Sequence, residues 1–363
     1  MKRDAFETIA ADDLNALADF TYAKKATTTE RIGHSFIKFW LRLDVFWLKL
    51  ITGQTGVAMT RILAIGECMV ELAPVATEGQ FCLGYAGDTL NTAWYLRRLL
   101  GIDAQIDYFT AVGTDVVSDR MIDFLLQSGI GTEYILRRDD KGVGLYIIQL
   151  QAGERSFSYW RSDSAARSLA AHPAPLQAAL YDAKLAYFSG ITLAILPPAD
   201  RARLLIALRR FRSGGGIVIF DPNLRPKLWA SPDEMTQTVM QAAAVSDIAL
   251  PSYDDEAHWF GDDSPEATLQ RYATAQVGCC IVKNGSGRIL AGEDDRRISC
   301  DPIQDVTPVD STAAGDSFNA GFIAARLHGA DLRDAVQAGA ALAAQVIAKF
   351  GALVDLDVTG PAG

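Results

Sequence analysis

Arg61-Ile62-Leu63-Ala64-Ile65-Gly66 sets the reading of this 363-residue chain. Four apolar residues in a row, stopped by glycine, predict a short buried strand. Residues 89–100 then read as a helix, with Asp88 or Thr89 able to cap its start and Gly101 to end it. Residues 105–112 read as a second strand, followed by Gly113-Thr114-Asp115 and a helix up to Gln127. Further apolar runs at 185–188, 217–220, 248–250 and 279–282 each lead through Gly, Pro, Ser or Asp into a helical stretch. Strands alternating with helices predict a mostly parallel sheet covered on both faces, an α/β class with three α/β/α layers. One segment breaks the rhythm. Residues 143–150 and 155–161, joined by Gln151-Ala152-Gly153-Glu154, predict a β-hairpin. Such a hairpin is either a lid over a site or an antiparallel edge of the main sheet. In its second run Phe157, Tyr159 and Arg161 share one face by the period of two.

Apolar residues make up 49% of the chain and charged residues 21%, enough for a large core and too few charges for disorder. The net charge of −10 repels nucleic acid and anionic membrane on average, so any anionic substrate must be gathered by local arginines or amides. Five cysteines without a Cys-x-x-Cys pair point to a reducing compartment, the cytoplasm, and four scattered histidines offer no metal spacing. Residues 1–59 lack the strand–glycine–helix rhythm. Their apolar run at 36–51 is interrupted by Lys38, Arg42, Asp44 and Lys49 and is too short to span a bilayer. It also lacks a small-residue cleavage site. It reads as a membrane-surface helix, as a helix packed on the domain or a partner, or as translated upstream sequence, which is the reading we favour, because Met59-Thr-Arg-Ile-Leu-Ala would be an ordinary start.

The chemistry concentrates in Asp310-Ser311-Thr312-Ala313-Ala314-Gly315-Asp316-Ser317-Phe318-Asn319-Ala320-Gly321. Small residues precede an acid, and a helix follows from about Gly315 to Arg326. Small side chains let a ligand approach the backbone, and a helix start offers free N–H groups and a positive dipole end. That combination suits a transferring phosphoryl group, with Asp316 taking the proton of an attacking hydroxyl. The same residues also suit an ordinary helix start with an acidic first turn.

This run resembles the C-terminal motif of the ribokinase-like, or phosphofructokinase-B, sugar kinases, Asp-Thr-x-Gly-Ala-Gly-Asp-x-Phe. Ser311 replaces the Thr and Ala313 the Gly, adding one methyl group that fits if its φ is negative. Gly84-Tyr-Ala-Gly87-Asp88-Thr-Leu-Asn91 resembles the N-terminal family motif, with Ala86 for one glycine. Gly113-Thr-Asp115, Asp221-Pro-Asn223-Leu-Arg225 and Val282-Lys283-Asn-Gly285-Ser-Gly287 also match family segments. The resemblance implies a ribokinase-like kinase domain over 60–360, with a lid from about 78–87 and 142–161, and leaves 1–59 as an extension. Gly66-Glu67-Cys68-Met69-Val70-Glu71, Tyr159-Trp160-Arg161 and Asn223-Leu-Arg225-Pro-Lys-Leu-Trp229 resemble the branch that phosphorylates 2-keto-3-deoxygluconate at O6.

That resemblance implies Asp316 as catalytic base and the amides of Ala313, Ala314, Gly315 and Asp316 as the anion hole. It implies Gly87, Asp88, Asn91, Tyr146, Tyr159, Arg161 and Arg225 on the sugar side, the two arginines facing the substrate carboxylate. It implies Ser252, Lys283, Gly285 and Gly287 on the ATP side. Asp255 or Glu256 would hold water bound to Mg2+, or else form the acidic first turn of a helix. Partners would be a small sugar acid and ATP, with no nucleic acid and no membrane span, and the lid would pair in a homo-oligomer. The alternatives are a kinase of another sugar (fructose, ribose or a related keto acid) and a non-catalytic sugar sensor.

Overall fold

The computed structural model describes residues 59–75, 77, 79–151, 154–304 and 306–356. The readings made of residues 1–58 lie outside the described residues. Apolar runs buried on both faces build the central sheet: β1 (Thr60–Ile65), β4 (Ala104–Phe109), β9 (Leu185–Ser189), β10 (Ile217–Asp221), β11 (Ile248–Ala249) and β12 (Cys279–Val282). These run parallel in the order β12-β11-β10-β9-β1-β4. Ile62, Leu63, Ala64 and Ile65 have no exposed surface, as expected of a strand covered by helices on both sides. An antiparallel hairpin, β13 (Ile289–Glu293) and β14 (Arg296–Cys300), extends one edge. Nothing in its apolar pattern announced it, since only Ile289, Ala291 and Cys300 of its ten residues are buried.

The helices α1 (Asp88–Leu100), α2 (Val116–Gln127), α3 (Pro173–Tyr181), α4 (Gly190–Ile195), α5 (Pro198–Ser213), α6 (Pro232–Ala243), α7 (Tyr253–Phe260), α8 (Pro265–Thr274), α9 (Ala314–Leu327) and α10 (Leu332–Ile347) fill the outer layers. Phe188 stacks on Phe220 at 4.8 Å between adjacent strands, within a core that also takes in Leu193 of α4, Leu204 of α5 and Met235 of α6. Among the described residues no helix is long and apolar enough to cross a membrane.

Two sequence expectations need correction. The strand expected over 105–112 breaks at Thr110, whose carbonyl accepts from Leu136 N–H at 2.9 Å. The chain leaves the main sheet there, and β5 (Ala111–Gly113) pairs instead with β6 (Leu136–Arg138). The residue that caps α1 is Gly87, with Asp88 already in its first turn. A Cβ at Gly87 would lie 2.2 Å from the Glu67 carbonyl oxygen, so only glycine allows this approach.

The hairpin forms as predicted, as β7 (Gly144–Gln151) and β8 (Glu154–Trp160). It belongs to a separate four-stranded sheet, β3-β2-β7-β8, with β2 (Met69–Pro74) and β3 (Phe81–Ala86). It is therefore no edge of the main sheet.

Candidate active site

The order of strands reverses between β1 and β9, and the C-terminal ends of the parallel strands open a crevice at that point. Gly66, Asp221 and Lys283 lie at these ends, and Ser189 closes β9. Two helix starts meet there, because Asn91 on α1 donates from Nδ2 to Asp316 Oδ2 on α9 at 2.8 Å. Thr92 Oγ1 also donates to the Asp316 carbonyl at 3.1 Å.

Asp316 is 9% exposed. Burial pushes its carboxyl up to about 8; the nearby Asp88 and Asp221 add to the rise, while Asn91 and Lys283 oppose it. Asp88 is raised by burial as well, although it accepts from Asn223 Nδ2 at 2.8 Å and Thr89 N–H at 2.8 Å. A carboxylate tuned toward neutral pH at a helix start suits proton abstraction from a hydroxyl.

Ala313, just before α9, has φ 59°. The negative φ that would have made Ala tolerable is not what the chain adopts, and the left-handed conformation loads an L-residue with about 1–2 kcal/mol of strain. Ala314 N–H turns back to the Ser311 carbonyl at 3.2 Å. Of the amides expected to form the anion hole, that of Ala314 is thus engaged, while those of Gly315 and Asp316 lie in the first turn of α9 with no intrahelical carbonyl to meet.

On the sugar side the two arginines hold different partners. Arg161 donates to the buried carboxylate of Glu67, which also accepts from Ser164 Oγ. Arg161 is thus already ion-paired with Glu67, in addition to the substrate carboxylate it was expected to face. Arg225 is half-exposed and lies 3.9 Å from Asp255. Tyr146 donates to Glu71, and its ring packs 5.7 Å from Tyr159 and 6.0 Å from Phe157. The face shared by Phe157 and Tyr159 is real, with ring centroids at 6.2 Å.

On the opposite side Lys283 follows β12, and its backbone joins Pro251 and Tyr253 at 2.9 and 2.7 Å, bringing Ser252 alongside. Gly285 takes φ 50°, and Gly287 N–H closes a turn on the Asn284 carbonyl at 2.6 Å. A Cβ on Gly315 would stand 3.5 Å from Lys283 Nζ, so the ammonium reaches the start of α9. Of the two readings of Glu256, it takes the one that places it in the acidic first turn of α7. It is fully buried, accepts from Arg271 at 2.7 Å and Tyr272 at 3.0 Å, and burial raises it to about 7. Its oxygens meet partners inside the protein, while Asp255, about a third exposed, lies 3.9 Å from Arg225.

Sequence reading passed over Asp221, Asn319, Tyr187 and Glu67. Asp221 accepts from Asn319 Nδ2 at 2.8 Å and from Lys283 Nζ at 3.4 Å. Asn319 also donates to Tyr187 OH at 3.0 Å. Two signals were available: an acid at the end of an otherwise apolar strand, and an Asn three residues after Asp316, on the same helix face.

The pfkB family carbohydrate kinase profile matches residues 59–358. The chain is 41% identical to the 2-dehydro-3-deoxygluconokinase of Dickeya dadantii over 305 residues, covering 82% of this chain and 97% of that protein. It is also 41% identical to the 2-dehydro-3-deoxygluconokinase of Haemophilus influenzae over 310 residues, covering 82% and 96%. The crystal structure of a PfkB protein from Polaromonas superposes with a TM-score of 0.71 at 25% identity, covering 80% of this chain and 96% of that one. With an acid at the start of α9, a four-stranded sheet beside the main one and this breadth of likeness, the chain belongs to the pfkB family of carbohydrate kinases.

Proposed function

We propose that this kinase transfers the γ-phosphoryl group of Mg-ATP to the O6 hydroxyl of 2-dehydro-3-deoxygluconate, also called 2-keto-3-deoxygluconate. The two relatives at 41% identity carry that name over most of both chains. The observation that carries the reading is Asp316, buried at the start of α9 and held by Asn91 beside the ammonium of Lys283. Asp316 takes the hydroxyl proton, and the first-turn amides of α9 receive the charge of the transferring group. Lys283, Gly285, Gly287 and Ser252 line the nucleotide side. Mg2+ would come with the ATP phosphates, and Asp255 would hold water bound to it. The cation would neutralise phosphate charge during transfer.

Arg161, Arg225, Tyr146 and Tyr159 seat the keto acid, with the lid excluding water. A neutral sugar is the second reading, and the Arg161–Glu67 pair favours it because Glu67 already cancels that charge. The exposed Phe81, Leu83 and Trp160 of the lid suit pairing with a second copy, and five free thiols suit the cytoplasm. An ATP-consumption assay across keto acids and neutral sugars tests the reading. Preference for the keto acid is expected; equal or better use of fructose would move the assignment to the second reading.

A further inference from the structure

Lys283 Nζ sits between two side-chain acceptors of different kinds, a carboxylate and an amide. It lies 3.4 Å from Asp221 Oδ1 and 3.1 Å from Asn319 Oδ1, and it approaches the start of α9 at Gly315. Asp221 and Asn319 are tied to each other at 2.8 Å, and Asn319 is fixed further by Tyr187. Asp221 is 3% exposed and Asn319 has no exposed surface, so neither can touch a substrate without rearrangement. Their oxygens face the lysine, whose long stem would otherwise sample many rotamers. A flexible ammonium gains from a fixed cradle, because only a group already in place stabilises charge as it develops.

Resting on the kinase reading above, we propose that Asp221 and Asn319 are positioning residues that hold the Lys283 ammonium at the start of α9, poised for the negatively charged group transferred there. The pair is also reciprocal. Asp221 and Asp316 are buried carboxylates at one crevice with the partly buried Asp88, and Lys283 is the cation beside the first two. A buried carboxylate that loses its cation is a strong destabiliser, whereas removing both charges together is far milder.

This distinguishes a cradle for Lys283 from a general structural role. The test is a double-mutant cycle of Asp221→Asn and Lys283→Met, read twice: as the unfolding midpoint of the nucleotide-free protein, and as kcat with whichever acceptor the wild type uses best. Lys283→Met should lower kcat at least 100-fold and lower the midpoint. Asp221→Asn alone should lower kcat roughly tenfold while KM for the acceptor stays within twofold. In the Lys283→Met background, adding Asp221→Asn should leave kcat within twofold and raise the midpoint, because the effect travels through the lysine. Independent, multiplying losses of kcat, or a midpoint lowered by Asp221→Asn in both backgrounds, would overturn the proposal. Should Asp221→Asn alone not fold, Asn319→Leu enters the cycle from the other contact with the kcat criteria alone: a loss beside Lys283, and a change within twofold in the Lys283→Met background. A wild type that ignores the keto acid but phosphorylates another sugar sinks the substrate assignment, while the coupling between Asp221 and Lys283 is still decided by the cycle.

Discussion

Asp316 and Arg161 show how far a single residue's surroundings decide its chemistry. Asp316→Asn keeps the shape and the Asn91 contact region but removes the base, so kcat should fall roughly 10²–10⁴-fold with the fold intact. Wild-type turnover in that variant would remove Asp316 from the mechanism. Its carboxyl is raised to about 8 by burial and by Asp88 and Asp221, against Asn91 and Lys283. A base must be unprotonated, so kcat/KM should rise with pH up to about 8, and Lys283→Met should move that limb higher by taking away the opposing cation. A limb in the ordinary carboxylate range near 4 would contradict this. Arg161 is a different case, because truncating it also strands the buried Glu67. The informative variant is therefore Arg161→Ala together with Glu67→Gln. If the guanidinium binds the substrate carboxylate, kcat/KM for the keto acid should fall by the equivalent of about 2–5 kcal/mol, and KM for ATP should barely move. An equal fall for fructose would make Arg161 a lid anchor only.

At the scale of elements the start of α9 is the strained part. Ala313 holds φ 59°, a conformation that burdens an L-residue by about 1–2 kcal/mol and glycine by almost nothing. Against this, glycine adds freedom to the unfolded chain worth about 0.4–1 kcal/mol. The strain term is the larger, so Ala313→Gly should raise stability by about 0.5–1 kcal/mol in denaturant titration. A loss of stability would mean that the methyl group packs usefully against the small core of Met69, Ala86, Tyr146, Ile148 and Ala352. The start of α1 has the opposite constraint. At Gly87 the neighbour is backbone, 2.2 Å from any added Cβ, so Gly87→Ala has no rotamer by which to escape and should disturb Asp88 and Asn91 together.

For the whole molecule the two sheets divide the work. The main sheet fixes Gly66, Asp221 and Lys283 at strand ends, while the four-stranded sheet proposed as a lid is joined to it near the site through Glu67, Arg161 and Ser164. The lid's far face leaves Phe81, Leu83 and Trp160 exposed. If these pair two copies, Leu83→Asp with Trp160→Ser should convert a dimer to a monomer in sedimentation velocity; a wild type that already sediments as a monomer would end that reading. Chelation of divalent cations should abolish turnover and magnesium restore it, since the phosphate charge needs a cation during transfer. Full turnover in chelator would contradict the proposed role.

The parallel core was legible from sequence because strands buried on both faces are written as unbroken apolar runs, and 62–65, 185–188, 217–220 and 279–282 all formed where they were read. Asp316 was legible because a run of small residues before an acid is a local property of one helix start. The hairpin of β13 and β14 was not, since a half-exposed edge carries little apolar pattern. Nor was the break at Thr110, where one carbonyl chooses Leu136 over the main sheet. Only tertiary structure decided which charges meet. Glu67 and Arg161 lie 94 positions apart, Asp221 and Lys283 62, and Asn91 and Asp316 225. A pattern in one dimension records which groups are polar, but the partner that satisfies a buried charge comes from the strand or helix the fold lays beside it. For that reason the sequence by itself determined the kinase scaffold and its acid, while the tertiary structure decided that Arg161 is paired, that Glu256 faces inward and that Lys283 is held by Asp221.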